Sequence, residues 1–193
     1  TQPCWFPVNV GSGTVSEVEF SDDGMLYVGT GNGNLYRVEG LPTATFDCDP
    51  ADLSNNAISG ITVTKIDGND WGSSYVAGIG IDPNDNNRLI VALGGYRADS
   101  TVSNVFITDD ASAPNVSWDD IKGNGLPSMP VYDAVIDYYN PNNFLIATDL
   151  GMWSSNNAGI DWTNENTFPL TSTTVFKLDQ EKLYEEDCRV IYV

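Results

Sequence analysis

The feature that most constrains the fold is a phrase that recurs along the chain: an apolar run, a turn rich in Asn and Asp, and a second apolar run. Val76–Asp82 and Val131–Asp137 are each followed by such a turn and then by a second run, Arg88–Leu93 or Phe144–Thr148. The two copies align with one inserted residue and lie 55 positions apart. Short apolar runs between turn residues are typical of strands, and their recurrence indicates one supersecondary unit used several times.

The same phrase opens the chain in a third copy. Val15–Phe20, Met25–Thr30 and Asn34–Val38 are separated by turns that contain Asp23-Gly24 and Asn32-Gly33. Gly and Asn tolerate the positive φ that tight hairpins need, so these joints predict an antiparallel meander.

Two further strands follow each of the later copies. In the copy that begins at Val76, the third strand is predicted at Val105–Thr108 and a fourth, beginning with Trp, at Trp118–Ile121. In the copy that begins at Val131, the corresponding strands are predicted at Gly151–Ser154 and Trp162–Asn164. A last pair of runs, Thr174–Leu178 and Arg189–Val193, begins another copy. Between them, residues 179–187 carry charges of both signs, which favours a solvated hairpin excursion over a short helix.

Four antiparallel strands in each repeat of roughly 40 to 60 residues are typical of β-propeller blades. We therefore predict an all-β propeller of about three and a half four-stranded blades, at about 15–66, 75–121, 131–164 and, incomplete, 173–193. A sandwich would not need the repeat, and the coils of a β-solenoid are shorter. We expect the chain to be a segment of a larger propeller whose last strand continues beyond Val193.

Charge excludes several classes of function. The chain has 27 acidic and 8 basic side chains, a formal charge of −19, and no histidine. Nucleic-acid binding and adsorption to anionic membranes both rely on Lys and Arg, so neither is expected. Catalysis through histidine and imidazole metal sites are excluded. No run of about 18 apolar residues is present, so no membrane insertion is predicted.

Two segments resemble the Asp box, S/T-x-D-x-G-x-T/x-W. The second box, Ser155–Trp162, reads Ser-Asn-Asn-Ala-Gly-Ile-Asp-Trp, with Asn157 where the pattern has Asp. The first box, Thr108–Trp118, reads Thr-Asp-Asp-Ala-Ser with four extra residues before Ser-Trp. The chain thus resembles BNR/Asp-box propellers of the sialidase-like and sortilin-like superfamily, as found in large secreted bacterial surface proteins of the Bacteroidetes type.

The resemblance implies that the boxes are structural and lie away from the ligand-binding face. In such a turn the Asp or Asn side chain caps backbone N–H groups, Gly supplies an unusual φ, and Trp packs under the hairpin. Asn can accept the same hydrogen bonds as Asp, whereas the insertion in the first box puts its turn geometry in question. The residues expected to have this structural role are Thr108, Asp110, Trp118, Ser155, Asn157, Gly159 and Trp162.

No active site can be selected from the sequence. Sialidases use an arginine triad, but the four arginines here fall in no sialidase motif; they are Arg37, Arg88, Arg97 and Arg189. Glycosidases related to xyloglucanases use paired carboxylates, for which Asp133 and Asp149, near strand ends, are the candidates by position. Because the chain has 27 acids, solvated surface carboxylates are the favoured interpretation.

The sequence also does not decide whether the chain has a metal site or a disulfide bond. Clustered oxygen ligands at Asp67, Asn69 and Asp70 could hold Ca²⁺, but they lack the full loop spacing and turn chemistry explains them, so no cofactor is expected. The three cysteines, Cys4, Cys48 and Cys188, form no C-x-x-C pair. They are either incidental thiols or include a Cys4–Cys48 bridge.

The leading functional hypothesis is a secreted or cell-surface module that acts in binding, adhesion or assembly of an extracellular structure, without catalysis. Its partners would be other protein chains or the remainder of the same polypeptide, with carbohydrate as a further option. Trp71 and Tyr96, both beside Gly-rich loops, are the candidates for an exposed aromatic ligand platform. The alternative is a carbohydrate-binding or catalytic domain of a secreted glycoside hydrolase.

Overall fold

The computed structural model describes residues 4–49, 56–98, 101–167, 172–181 and 190–193. These residues form antiparallel β-sheets joined by turns, with short 3-10 turns at Leu41–Thr43 and Asn69–Trp71. The predicted all-β class is confirmed. Among the described residues, no helix is long and apolar enough to cross a membrane.

Blade 1 is a four-stranded sheet with one excursion. Its strands in spatial order are β1 (Val15–Phe20), β2 (Leu26–Thr30), β3 (Leu35–Glu39) and β6 (Thr62–Lys65). The excursion between β3 and β6 carries a separate hairpin of β4 (Thr45–Asp47) and β5 (Ala57–Ser59). The Asp-Gly and Asn-Gly joints of the sequence are the β1–β2 and β2–β3 turns.

Blades 2 and 3 are uninterrupted meanders in which each strand pairs with the next one along the chain. Blade 2 contains β7 (Val76–Asp82), β8 (Asp85–Leu93), β9 (Val105–Thr108) and β10 (Asp119–Asp120). Blade 3 contains β11 (Val131–Ile136), β12 (Phe144–Thr148), β13 (Gly151–Ser155) and β14 (Thr163–Asn164). Blade 4 is described as two paired strands, β15 (Asp179–Glu181) and β16 (Val190–Tyr192).

The architecture is therefore a partial β-propeller. The strand predicted at Thr174–Leu178 is shifted, because β15 is Asp179–Glu181, where the excursion was predicted to begin. Residues 182–189, with Cys188 and Arg189, lie outside the described residues.

The inner strands of blades 1 to 3 share one register irregularity. The pairing shifts between Val15 and Glu17, between Val76 and Gly78, and between Val131 and Asp133, in each case two residues into the strand. A bulge at a fixed position bends each inner strand in the same way. The repeat seen in the sequence is thus a structural repeat down to single residues.

Apolar cores lie between consecutive blades. Tyr27 and Leu35 of blade 1 pack with Val76 and Ile79 of blade 2. The larger core between blades 2 and 3 has these members from the two sheets: Ile90, Val105 and Ile107 with Ala134, Ile146 and Trp162. A smaller cluster joins Met152 of blade 3 to Leu178 at the start of blade 4.

The antiparallel order sorts the turns onto two faces. The first strand of each blade, which we call the inner strand, begins on the same face on which the second strand ends. We call this the upper face, and it holds Tyr75, Gly94–Tyr96, Tyr132 and Asp149–Leu150. The first-to-second strand turns and both boxes lie on the opposite, lower face. The boxes are thereby separated from the upper-face loops.

A disulfide joins Cys4 to Cys48, with Cα atoms 6.1 Å apart, so the second of the two open alternatives is the one observed. It fastens the N-terminal segment to the β4–β5 hairpin. Phe6 and Phe46 pack with ring centroids 5.0 Å apart, and Asn56 Nδ2 donates to the Trp5 carbonyl at 3.0 Å. The same segment places Val8 and Val10 against the outer strands of blade 1.

Candidate functional site: an aromatic face around Asp149

The upper face of blades 2 and 3 is centred on the carboxylate of Asp149, in the tight turn between β12 and β13. Thr148 Oγ1 accepts from Leu150 N at 3.2 Å and donates to the Gly151 carbonyl at 2.6 Å. Gly151 has a φ of 96°, which lets this two-residue connection close. The turn therefore holds the Asp149 side chain in a fixed place above the sheet.

Two tyrosine hydroxyls donate to Asp149 from neighbouring blades. Tyr96, in the loop after β8, donates to Oδ2, and Tyr132, at the bulge of β11, donates to Oδ1 at 3.2 Å. The hydrogen bond to Asp149 raises the pKa of the Tyr96 phenol, and burial, followed by the Asp149 charge, raises that of Tyr132. Both phenols are therefore protonated donors at neutral pH.

Further aromatic rings extend this surface. Phe176, just before blade 4, lies with its ring centroid 5.0 Å from that of Tyr132 and is exposed. Tyr75 lies over Gly94, where a Cβ would overlap the tyrosine ring. Tyr96 is 70% exposed, so its ring is available to solvent. We call Tyr75, Tyr96, Tyr132, Phe176 and Asp149 the aromatic face.

The sequence identified part of this group. Tyr96 and Asp149 were candidates, whereas Tyr132 and Phe176 were not. Both follow the first Val of a repeated phrase, Val131-Tyr132 and Val175-Phe176, but the same position is Ser16 and Ala77 in the other two copies, so the repeat carries no aromatic signal there.

Trp71, the other predicted platform residue, is 1% exposed, and the expectation of an exposed ring is wrong. The 3-10 turn at Asn69–Trp71 folds its side chain inward, where it packs against Phe106 and Trp118 with centroids 5.9 and 4.9 Å apart. Arg97 Nη2 also donates to the Trp71 carbonyl at 3.0 Å. The glycines around Trp71 correctly predicted a turn, but they gave no information on whether the Trp71 side chain faces solvent or the core.

Asp133, the second carboxylate candidate, lies in the central channel rather than on the aromatic face. It is 2% exposed, and its oxygens accept from Ala134 N at 2.9 Å and Leu178 N at 2.8 Å. Lys177 Nζ lies 3.2 Å from Asp133 Oδ2 and 3.4 Å from Glu17 Oε1. Asp133 and Lys177 border a cavity of about 290 Å³ between the inner strands.

Burial and neighbouring charge oppose each other at Asp133 and at Lys177, and the outcome differs between the two groups. It raises the pKa of Asp133, against the backbone hydrogen bond from Leu178 and the Lys177 charge. Burial lowers the pKa of Lys177, but the carboxylates of Asp133 and Glu17 outweigh it and raise that pKa. Asp133 thus holds the start of blade 4 onto blade 3.

The second box is a closed network of side-chain hydrogen bonds. Asn157 Oδ1 accepts from Asp161 N at 2.9 Å, and Ser155 Oγ accepts from Gly159 N at 2.9 Å. Trp162 Nε1 reaches the preceding blade and donates to the Ile121 carbonyl at 2.8 Å.

The first box has the same pattern despite its insertion. Thr108 Oγ1 donates to Asp110 Oδ1 at 2.6 Å, and the same oxygen accepts from Ser117 N at 3.1 Å. Trp118 Nε1 donates to the Ile66 carbonyl of the preceding blade at 2.6 Å. The four extra residues are accommodated because the carboxylate spans from Thr108 to Ser117.

The weak calcium candidates and the arginines have other partners. Asp67 Oδ2 pairs with Lys65 Nζ at 3.1 Å, Asn69 begins the 3-10 turn, and the Asp70 side chain lies outside the described part. Among the described residues, no group of three acidic or Cys side chains is placed to hold a metal ion. Arg37 and Arg88 donate to backbone carbonyls of the next blade, Ala113 and Pro141, at 3.1 and 2.9 Å.

No protein-family model and no curated protein matches the chain. Among solved structures it is similar to the β-propeller domain of Cps50 (Swd1) from Myceliophteria thermophila, at 16% identity and a TM-score of 0.47 over 80% of this chain and 39% of that one. It is also similar to an ancestral GH74 enzyme, at 17% identity and a TM-score of 0.44 over 84% and 25% of the two chains.

A third similar structure is the GH74 xyloglucanase from Xanthomonas campestris, at 18% identity and a TM-score of 0.49 over 82% of this chain and 22% of that one. The chain therefore spans well under half the length of each of these proteins. The propeller architecture is assigned from the sheets of this chain themselves.

Proposed function

We propose that the chain is an extracellular or cell-surface propeller module that binds uncharged carbohydrate through the aromatic face and does not cleave it. The observation that carries the proposal is the set of four aromatic rings, contributed by blades 2 and 3 and by the segment just before blade 4, around one carboxylate. As part of the same proposal, we assign both boxes to the Asp-box type, supported by their common hydrogen-bond pattern.

The chemistry of the aromatic face suits a polyhydroxylated ligand. Exposed rings offer flat apolar area at low cost in side-chain entropy, and phenol and carboxylate groups supply hydrogen bonds at their edges. A sugar ring presents C–H groups on its face and hydroxyls around its rim, so it can use both. The net charge of −19 opposes polyanionic ligands, which leaves neutral carbohydrate as the favoured class.

The two carboxylate candidates support binding rather than hydrolysis. Both oxygens of Asp149 accept tyrosine hydroxyls, and those of Asp133 accept backbone N–H groups and contact Lys177. Hydrolysis would need a pair flanking one glycosidic bond. These two are instead built into separate structural contacts. The Cys4–Cys48 bridge supports an oxidising compartment such as the cell exterior.

The test is affinity electrophoresis through gels that contain galactomannan, mixed-linkage β-glucan or alginate. We expect retention by at least one neutral polymer and none by alginate. Tyr96→Ala and Phe176→Ala should each weaken retention by about tenfold, the equivalent of about 1.4 kcal/mol. Ile160→Ala is the matched control, because Ile160 is exposed on the lower face.

Two results would contradict the proposal. Free passage of the wild-type chain through both neutral gels would remove the ligand class. Release of reducing sugar by the wild-type chain, abolished in Asp149→Asn, would instead establish the glycoside hydrolase alternative.

A further inference from the structure

One phrase is repeated at the two contacts between successive complete blades. Ile66–Trp71 reads Ile-Asp-Gly-Asn-Asp-Trp and follows the last strand of blade 1, and Ile121–Leu126 reads Ile-Lys-Gly-Asn-Gly-Leu and follows that of blade 2. In each segment the Ile carbonyl accepts from the box indole of the next blade, Trp118 or Trp162. We call Ile66–Trp71 the first seam segment and Ile121–Leu126 the second.

The second seam segment is closed against the second box. Asn124 N donates to the Ile160 carbonyl at 2.8 Å, and the Asn124 carbonyl accepts from Trp162 N at 2.8 Å. The side chain is also bound, because Asn124 Nδ2 donates to Asp161 Oδ1 at 3.0 Å. The box itself therefore supplies partners for both the backbone and the side chain of this asparagine.

The first seam segment is open at the same place. Asn69, the counterpart of Asn124, is exposed and forms no hydrogen bond with the first box, whose residues are all described. A cavity of about 350 Å³ lies there, lined by Asp67–Asn69 and Trp71 of the segment, Val116–Trp118 of the box, and Phe106. Val116 belongs to the four extra residues of the first box, so the longer box borders a space that the shorter box closes.

Trp71 brings an unpaired hydrogen-bond donor to this cavity. It stands where the second segment has Leu126, and it is 1% exposed. Among the described residues, its Nε1 has no acceptor. A buried donor without an acceptor is costly, so an orphaned N–H beside a cavity points to a ligand that supplies the acceptor. Trp in place of Leu thus adds both aromatic surface and an unused N–H group.

We infer that this cavity, which we call the seam site, binds one neutral sugar residue. The indole N–H of Trp71 and the amide of Asn69 can donate to hydroxyl oxygens. Asp67, whose Oδ2 pairs with Lys65 Nζ at 3.1 Å, can accept from a hydroxyl group. The Trp71 ring offers apolar area to the C–H groups of the sugar.

Size and charge select this class of ligand. A volume of about 350 Å³ lies near the lower end of the range of ligand pockets, about 300 to 1,000 Å³, which suits a single ring rather than a chain. The Asp67 carboxylate and the net charge of −19 oppose an anionic sugar. The seam site shares no residue with the aromatic face, so the inference does not rest on the function proposed for that face.

The first experiment follows the indole N–H signals of the isotope-labelled whole chain by NMR while methyl glycosides of glucose, galactose, mannose and N-acetylglucosamine are added. At least one probe should shift the Trp71 signal, with a dissociation constant on the order of 1 mM. Trp153 Nε1 is also unpaired but does not border the cavity, so its signal should stay in place. A Trp71 signal that no sugar moves, or that only the amide N-acetylglycinamide moves, overturns the inference.

The second experiment titrates the most effective probe against variants by saturation-transfer NMR. Trp71→Leu copies the second seam segment and should raise the dissociation constant at least about tenfold, and Asn69→Ala should raise it about three- to tenfold. Asn115→Ala, an exposed asparagine of the first box outside the cavity lining, is the matched control and should leave it unchanged. Asn69→Ala alters only an exposed side chain, so it decides the outcome if Trp71→Leu fails to fold.

Tyr96→Ala separates the seam site from the aromatic face. It should weaken retention in the polymer gels and leave the Trp71 signal shift unchanged. Loss of that shift in Tyr96→Ala would assign the sugar to the aromatic face and overturn the inference. An unchanged dissociation constant in Asn69→Ala would overturn it as well, whatever the gels show for the function proposed above.

Discussion

The two boxes solve one structural problem with different residues. Each uses a hydroxyl residue, an acceptor two positions later and a Trp whose indole donates to the preceding blade. The first reaches its Trp after ten positions and the second after seven. What is common to both is therefore the set of hydrogen-bonded groups, and the spacing between them can vary as long as the acceptor reaches across the turn.

The boxes differ in the charge of that acceptor. Asp110 is a carboxylate held by the Thr108 hydroxyl and by Ser117, and the Thr108 bond is the largest cause that lowers its pKa. Asn157 is an amide, and its Nδ2 donates to Asp161 Oδ2 at 2.8 Å. In the first box the negative charge lies on the acceptor, Asp110, whereas in the second it lies on Asp161, the residue before the Trp. Replacing Asp110 by Asn in the first box and Asn157 by Asp in the second should therefore change the pH dependence of stability in opposite directions.

The largest expected effect comes from removing the indoles. Trp162→Ala should lower the free energy of unfolding by about 3 to 5 kcal/mol, since it opens a cavity in the core between blades 2 and 3 and leaves the Ile121 carbonyl without its donor. Trp118→Ala should cost less, because Trp118 is only partly buried. Urea unfolding of both variants measures this difference, and an equal loss would contradict it.

A smaller effect separates the box glycine from an ordinary turn glycine. Gly159 has a φ of 83°, and a Cβ there would lie 2.8 Å from Ile121 Cβ, whereas Gly95 has a φ of 89° with open space around it. Gly95→Ala should cost about 1 kcal/mol from backbone strain alone. Gly159→Ala adds overpacking of about 1 to 3 kcal/mol. Thermal and urea unfolding of both variants should give that order.

The smallest effect is expected when the acceptor of each box is replaced, Asp110 by Asn and Asn157 by Asp. It is measured as the dependence of the free energy of unfolding on pH. The pKa of Asp110 is lowered in the folded chain, so its contribution is present above the unfolded pKa of about 3.9 and is lost as pH falls through the folded value. Asp110→Asn should therefore flatten the acid limb of the stability curve.

Asn157→Asp should do the reverse. It sets a second carboxylate beside Asp161, so the variant should be less stable than wild type at pH 7, with a gap that narrows as pH falls towards 4. Chemical unfolding at several pH values tests the pair. Matching pH profiles for the two variants would show that the boxes are electrostatically equivalent after all.

Local signals along the chain predicted much of the fold. The Asp-Gly and Asn-Gly joints set the turns of blade 1, and the repeated apolar runs predicted the pairing of β7 with β8 and of β11 with β12. These features depend on contacts between neighbours in sequence, where turn chemistry and strand period are sufficient. The same locality made Asn157 and Trp162 recognisable as turn residues.

The surface around Asp149 depends on contacts between residues far apart in the sequence, which a single sequence does not reveal. Tyr96 and Tyr132 lie 36 positions apart and meet at one carboxylate only because adjacent blades align their upper turns. Trp71 and Tyr96 looked alike in sequence, yet one lies between blades and the other in solvent.

The sequence by itself determined the strands, their turns and the repeat, because each is set by residues a few positions apart. Only the tertiary structure decided which copies of the repeat are covered. Val15, Val76, Val131 and Val175 are the same residue in the same phrase, and their exposure differs because burial depends on the neighbouring blade, not on the residue.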